Sequence, residues 1–468
     1  MNDESKIFKA LGNIQSKLAQ FIILNSTFII LLASCSVQKQ IAKSAKENVL
    51  AAPVLQTAHV GISIYEPATN KYWYNYQGEH YFVPASNTKI PTCYAAMKYL
   101  GDSLVGLMYG AGEDSEKIYI KGTGDPTFLH PDFKNQPVYS FLKKQNKSLI
   151  ITNSNFFATS LGSGWSWNDY NENYMAERSP LPMYGNTARW EINNTGKSIY
   201  DLKVTPRILH DSLAWTYLDF GTANSLDTIK RNDFSFEVKR NKDENIYKLV
   251  VSTGRFTSED IPFETTNSLT IANILKDTLH LEVGTNQKTW IYHRTVIKSQ
   301  PTDSLLKPMM HRSDNFFAEQ SLLMVSNERL GIMNDAKIID TLLKTDFKDL
   351  PQKPRWADGS GLSRYNLFTP QDLVAILNKM KNEFGMERIK VILPSGGEGT
   401  ISSYFKTENG YIFAKTGTLS GVVALSGFLY TKKNKLLIFS ALVNNHTGSA
   451  TDVRRAVEKF LQGIRNKY

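Results

Sequence analysis

Ser86-Asn87-Thr88-Lys89-Ile90-Pro91-Thr92-Cys93-Tyr94-Ala95-Ala96-Met97-Lys98-Tyr99-Leu100 is the stretch from which the fold is read. Its apolar positions Ile90, Cys93, Tyr94 and Met97 recur at helical spacing, with Pro91 tolerated in the first turn. Ser86 then stands at a helix N-terminus, and a step of three residues puts Lys89 one turn on, on the same face, within reach of the hydroxyl proton. A lysine ordinarily keeps its own proton to about pH 10.4, so it serves as a base only where burial or a second cation lowers its pKa. Ser-x-x-Lys also occurs at Ser36, Ser140, Ser304 and Ser403, so the surroundings have to decide.

Ser313-Asp314-Asn315 opens a second helical pattern, Asn315 to Asn327. It offers a further hydroxyl to relay a proton and an amide to hold a substrate carbonyl, while Ser313 also suits a helix cap. Lys415-Thr416-Gly417 falls on a strand, where Gly417 would leave room for a substrate along the edge. Lys415 would bring positive charge to the cleft and supply the second cation. The trio in this order is similar to that of the penicillin-binding proteins and class A β-lactamases.

Within that superfamily the chain from residue 57 onward resembles the penicillin-binding protein 4 type of D-alanyl-D-alanine carboxypeptidase and endopeptidase. The separation of 227 positions between Ser86 and Ser313 leaves room for inserted domains. Further similar strings are Gly124-Asp125-Pro126-Thr127, the aromatic segment Gly164 to Tyr170, Asp358 to Asn366 (DGSGLSRYN) and Ala414 to Leu419 (AKTGTL). The string Leu393 to Thr400 matches only approximately, and Asn168 stands where an acid is common.

The resemblance implies an α/β (α+β) transpeptidase fold, an antiparallel sheet flanked by helices with a large inserted β-rich domain. It implies an acyl-enzyme on Ser86, with Lys89 as base, Ser313 passing a proton to the leaving D-Ala, and Asn315 and Lys415 completing the catalytic set. Backbone N–H groups of Ser86 and Thr418 would hold the oxyanion. Lys415, Thr416 and Thr418 would hold the terminal carboxylate beside Gly417, and Asp169, Arg364 and Leu419 would form a pocket for a diaminopimelate side chain. Peptidoglycan stem peptides are the implied substrate and β-lactams the covalent inhibitors. A β-lactamase or esterase of the same fold, or a non-catalytic peptidoglycan-binding lipoprotein, are the competing readings.

The rest of the chain bounds these expectations. With 41% hydrophobic and 21% charged residues the composition is that of a globular protein. The net charge of +10 is scattered and accompanies no nucleic-acid motif, so no nucleic-acid partner is expected. Two cysteines, Cys35 and Cys93, exclude a disulfide framework and a Cys-rich metal site, and no cofactor or metal is expected. Cys93 reads as a core residue.

Lys6, Lys9 and Lys17 precede an apolar run of 13 residues, Phe21 to Ala33. That is shorter than the roughly 20 a membrane-spanning helix needs, and fits a signal peptide. Leu32-Ala33-Ser34-Cys35 resembles the bacterial lipoprotein box, which implies lipidation of Cys35, a lipid anchor to a membrane and a place on the periplasmic side of the cell envelope. The expected organisation is a signal peptide over 1–34, a tether over 35–54, a first part of the catalytic domain over 55–104, an insertion over 105–264 and the second catalytic part over 265–468.

Overall fold

The structure is a computed structural model and describes residues 37–112, 114–192, 202–215, 234–253, 258–286 and 292–468. Cys35 and the apolar run before it lie outside the described residues.

Strands β1 (His59–Glu66) and β2 (Lys71–Tyr76) form a hairpin whose turn is closed by Asn70 at φ 54°. Asn tolerates this left-handed conformation better than most residues. The other sheet flanks carry β3 (Ser103–Ala111), β4 (Lys117–Gly122), β5 (Ser148–Thr152), β6 (Thr187–Ile192), β7 (Leu202–Thr205), β8 (Leu213–Trp215), β9 (Phe234–Arg240), β10 (Tyr247–Thr253), β11 (Ser258–Pro262), β12 (Val283–Thr285) and β13 (Tyr292–Pro301). The last three strands are β14 (Ile412–Leu419), β15 (Val422–Tyr430) and β16 (Leu436–Asn444). The central sheet runs β14-β15-β16-β1-β2 and is antiparallel throughout.

Strands β15 and β16 are buried along nearly their whole length because both faces of this sheet are covered. Ala424 and Phe428 face one core, with Ile90, Phe317, Leu373 and Leu377. Val423, Leu425 and Leu429 face the other, with Val457, Phe460 and Ile464. The helices are α1 (residues 37–45), α2 (Lys89–Tyr99), α3 (Pro137–Leu142), α4 (Ser268–Leu279), α5 (Thr302–His311), α6 (Asn315–Leu330), α7 (Asp335–Lys344), α8 (Pro370–Ile392) and α9 (Ala450–Lys467). Helix α8 starts at a reciprocal cap between Thr369 and Asp372 and breaks at Gly385, φ 74°.

Two boundaries differ from the sequence expectation. The expected tether over 35–54 is part of the fold from residue 37: α1 continues into a wider turn, Lys46–Leu50, and Ile41, Ala45 and Val49 are buried against α9 and the central sheet. Tyr468 Oη donates to Gln40 Oε1 and Gln38 to the Tyr72 carbonyl, which fasten its start. The insertion does not end at 264. Strands β12 and β13 complete a mixed sheet, β12-β5-β4-β3-β13, and α4 packs Ile271, Ala272 and Leu275 into a third core with Leu107, Ile120, Trp190 and Tyr247. Among the described residues this unit also holds two three-stranded sheets, β11-β6-β7 and β8-β10-β9.

Candidate active site

Three elements bring the cleft together. A short 3-10 turn, Ala85–Thr88, leads into α2 and presents Ser86, half-buried, just before the helix proper. Its conformation needs Ala85 at φ 46°, a region costly for a residue with a Cβ. Glycines let the turn sit deep. A Cβ on Gly361, φ 84°, would fall 1.9 Å from the Ala85 carbonyl oxygen, and one on Gly417 would fall 2.7 Å from the Pro84 oxygen and 3.0 Å from the Ser86 nitrogen. Gly417 thus makes room for the nucleophile's own turn, where the sequence reading assigned the space to substrate.

Lys89 is fully buried one turn behind Ser86. Its Nζ lies 3.1 Å from Ser86 Oγ, 2.6 Å from Asn315 Oδ1 and 2.8 Å from the Ser360 carbonyl oxygen. An ammonium would fill all three acceptors. A neutral amine keeps two donors for Asn315 and Ser360 and turns its lone pair to the serine hydroxyl, which is the arrangement a base requires. Burial pulls the pKa of Lys89 down to about 8, against the opposing charges of Asp358, Asp314 and Glu319.

Ser313 and Asn315 stand at the start of α6. The cap of this helix is Asp314, whose carboxylate accepts the Phe317 N–H at 3.0 Å, and not Ser313. Ser313 is turned to φ 63°, which frees its hydroxyl to accept from Lys415 Nζ at 2.8 Å. Lys415 also donates to the Thr416 carbonyl at 2.7 Å. Burial and then the charge of Lys89 hold its pKa well below the ordinary lysine range. Two amines buried in one cleft do not both keep a proton at low cost, so each favours the neutral form of the other. Asn87 Nδ2 ties the nucleophile's turn to β14 through the Lys415 carbonyl at 2.9 Å.

The sequence reading did not foresee what surrounds these groups. Asp358, buried, folds the DGSGLSRYN string about itself by accepting from the N–H groups of Gly361 and Ser363, from Asn366 Nδ2 and from the Trp165 indole. Glu319, one turn beyond Asn315, accepts the Ser360 N–H at 2.7 Å. A carboxylate inside the apolar run Phe316 to Val325 is the signal that could have found it. Arg454 of α9 donates to the Thr418 hydroxyl, a contact between positions 36 residues apart that no local pattern announces.

Thr416 and Gly417 lie within β14, where Thr416 bonds Thr400 at 2.7 Å, and Thr418 is exposed at its end beside half-buried Leu419. Arg364 is exposed and donates to the Ser420 carbonyl at 2.7 Å, next to Leu419. Asp169 accepts from the hydroxyl of Tyr174, whose pKa is pushed up to about 12 by burial and this carboxylate, and the Tyr174 carbonyl in turn accepts from Asn315 Nδ2 at 2.9 Å. Asp169 and Arg364 make no ion pair with each other among the described residues. Cys93 is buried in the core on α2, its thiol pushed up to about 12 by burial.

A serine, two buried amines and an amide converging in this way lead to comparison with known proteins. Residues 42–464 match the model of the D-Ala-D-Ala carboxypeptidase 3 (S13) family. The chain belongs to that family. It is a serine hydrolase of this class and carries its carboxypeptidase activity. Among S13 relatives, D-alanyl-D-alanine carboxypeptidase DacB of Haemophilus influenzae is 24% identical over 440 residues, 84% of this chain and 87% of that protein. The D-alanyl-D-alanine carboxypeptidase of Actinomadura sp. (strain R39) is 25% identical over 456 residues, 86% of this chain and 81% of that protein. In fold, the crystal structure of penicillin binding protein 4 from Haemophilus influenzae superposes with a TM-score of 0.68 at 22% identity, covering 90% of this chain and 98% of that one. That structure has also been determined with a β-lactam bound.

Proposed function

We propose that this S13 peptidase cleaves D-alanyl bonds of peptidoglycan stem peptides through an acyl-enzyme on Ser86, as carboxypeptidase, endopeptidase or both. The observation that carries the reading is the position of Lys89 Nζ, held by Asn315 and Ser360 with its remaining site on Ser86 Oγ. Ser86 Oγ attacks the carbonyl carbon of the penultimate D-Ala while its proton passes to Lys89. The oxyanion so formed is met by the N–H groups of Ser86 and Thr418, a preorganised pair worth about 3 kcal/mol per donor. Because Lys415 donates to Ser313 Oγ, the Ser313 hydrogen is free to go to the leaving nitrogen as the C–N bond breaks, and the proton that Lys89 took from Ser86 replaces it, which leaves Lys89 neutral again. Water then attacks the ester, giving a proton to the neutral Lys89, which returns it to Ser86 Oγ as the ester C–O bond breaks and the serine leaves as the alcohol. A β-lactam enters the same first step and stays as the ester.

Lys415, Thr416, Thr418 and Arg454 would receive the terminal carboxylate, and Asp169, Arg364 and Leu419 the zwitterionic end of a diamino acid side chain. Support for the latter is their arrangement round the cleft mouth, Arg364 beside Leu419 through Ser420 and Asp169 beside Asn315 through Tyr174.

The N-terminal lysines, the short apolar run and the Leu32-Ala33-Ser34-Cys35 box support a cleaved signal peptide, lipidation of Cys35 and a periplasmic location. Since residue 37 already belongs to the fold, such an anchor would hold the catalytic unit close against the bilayer and not on a stalk. Digestion of purified muropeptides, with products identified by mass, tests the activity. Loss of one D-Ala or of a cross-link is expected, abolished in Ser86→Ala, and unchanged muropeptides would refute it. Metabolic labelling with an alkyne fatty acid tests the anchor, with label expected on the wild type and absent from Cys35→Ser.

A further inference from the structure

Glu319 lies one turn beyond Asn315 on the same face of α6 and is 1% exposed. Both its oxygens are engaged. One accepts the Ser360 N–H at 2.7 Å, and the other meets Arg178 Nη1 at 3.3 Å. Arg178, itself fully buried, comes from the inserted unit, where it also donates to the Thr159 and Leu161 carbonyls, and it pairs with Asp335 of α7 at 2.7 Å. The Ser360 carbonyl, on the far side of the same residue, accepts from Lys89 Nζ. A charge is expensive at such a place, and an apolar side chain of similar size would stabilise the helix more cheaply. The fold alone does not call for a carboxylate here.

We propose that Glu319 is a positioning residue for the base: clamped by Arg178, it fixes the Ser360 carbonyl that grips Lys89, and its negative charge offsets part of the burial cost of the Lys89 ammonium. The inference rests on Lys89 acting as base. The charges that face Lys89 are Asp358 in the folded string, Asp314 at the α6 cap, Glu319, and Lys415 on β14; the three carboxylates favour its charged form and Lys415 opposes it. Burial, and then the facing carboxylates of Asp358 and Asp335, raise the pKa of Glu319 to about 7, while Arg178 and the Ser360 N–H lower it. Through Arg178 the inserted unit thus reaches the base by way of two residues, Glu319 and Ser360.

Glu319→Gln keeps an oxygen for the Ser360 N–H and removes the charge. Glu319→Asp keeps the charge but is one methylene too short for that bond. Acylation by a fluorescent penicillin, followed against pH with the full chain, reads both. With Gln the acid limb of the rate is expected to move to lower pH by about half a unit to one unit, because Lys89 loses an anion that favoured its proton. With Asp the limb is expected to stay and the plateau to fall by about tenfold to 10²-fold, the latter being the loss that a 1 Å misplacement of a catalytic group can bring. An unmoved limb in the Gln variant overturns the electrostatic role, and a wild-type plateau in the Asp variant overturns the positioning role. If the Gln variant does not fold, as judged by thermal melting, the Asp variant decides alone. Lys89→Met separates this inference from the reading beneath it: an acid limb that persists in Lys89→Met defeats Lys89 as base, whereas its loss there with no shift in Glu319→Gln defeats only the role of Glu319.

Discussion

Replacing Lys89 by methionine separates what the base costs the fold from what it does in the cleft. A lysine ordinarily titrates near 10.5, and burial brings Lys89 down to about 8. Keeping it protonated in the folded state therefore costs about 3 kcal/mol at neutral pH, at about 1.4 kcal/mol for each pH unit of the gap. A base whose folded pKa lies below its unfolded value destabilises the fold by the full amount below the folded pKa. The cost fades as pH climbs from about 8 towards 10.5, where the unfolded chain loses the proton as well. Methionine is of similar length and carries no charge, but it leaves the Asn315 and Ser360 oxygens without a donor, at about 1–2 kcal/mol each. The two effects nearly cancel at pH 7, so Lys89→Met should unfold in urea at close to the wild-type midpoint. At pH 9.5 about 1.4 kcal/mol of that cost is left against about 3 kcal/mol of lost bonds, and the variant should be about 1.5 kcal/mol less stable than the wild type. Acylation by penicillin should fall by about 10²- to 10⁴-fold above pH 8, where the wild-type Lys89 is the free base, and by less below it, where the wild type loses its base as well. A stability difference that stays flat between the two pH values refutes the reasoning, whatever happens to activity.

Wild-type acylation should rise with pH through about 8, as Lys89 loses its proton, and a rate level between pH 6 and 9 would contradict the assignment of the base. Gly361→Ala drives a Cβ into the Ala85 carbonyl at a left-handed φ, so the nucleophile's turn must move, and acylation should drop by about 10²-fold or more in a chain that still melts cooperatively. Arg454→Gln should raise KM for D-Ala-D-Ala peptides about tenfold with kcat little changed, and should leave esters that lack the carboxylate unaffected; equal loss on both would remove Arg454 from carboxylate binding. Arg364→Ala should impair substrates that carry a free amino acid terminus on the side chain and spare those that lack it, and equal loss on the two would refute the pocket. Native Cys93 should resist iodoacetamide at pH 8 and react after unfolding, since it is buried with its thiol pushed up to about 12.

What could be read in the sequence was what short range determines. The step from Ser86 to Lys89, the helix opening at Asn315 and the strand through Lys415 are local patterns, and each lies on the element its periodicity suggested. The both-sided burial of β15 and β16 follows from their continuous apolar runs. Residues that act through tertiary contact were not legible. Ser360 matters for its carbonyl, which carries no side-chain signature, and Arg454 reaches Thr418 from a helix that follows two further strands in the chain. The expected tether was misread because Lys39, Lys43 and Lys46 dilute a helical repeat, Ile41, Ala45 and Val49, whose partner surface on α9 lies more than 400 residues away. Ser313 was given a cap's place when the neighbouring Asp314 takes it, and the choice between two adjacent cap formers depends on which backbone turns left-handed. The insertion was cut short at 264 because β12 and β13 complete a sheet begun at Ser103, and pairing across such a distance leaves no local mark.

Mass spectrometry of the chain after exposure to penicillin tests the central claim most directly. The account requires one adduct of the intact drug's mass, located by peptide mapping on Ser86, slow to hydrolyse and missing from Ser86→Ala. An adduct on any other residue, or a wild-type chain that remains unmodified while folded, would contradict it.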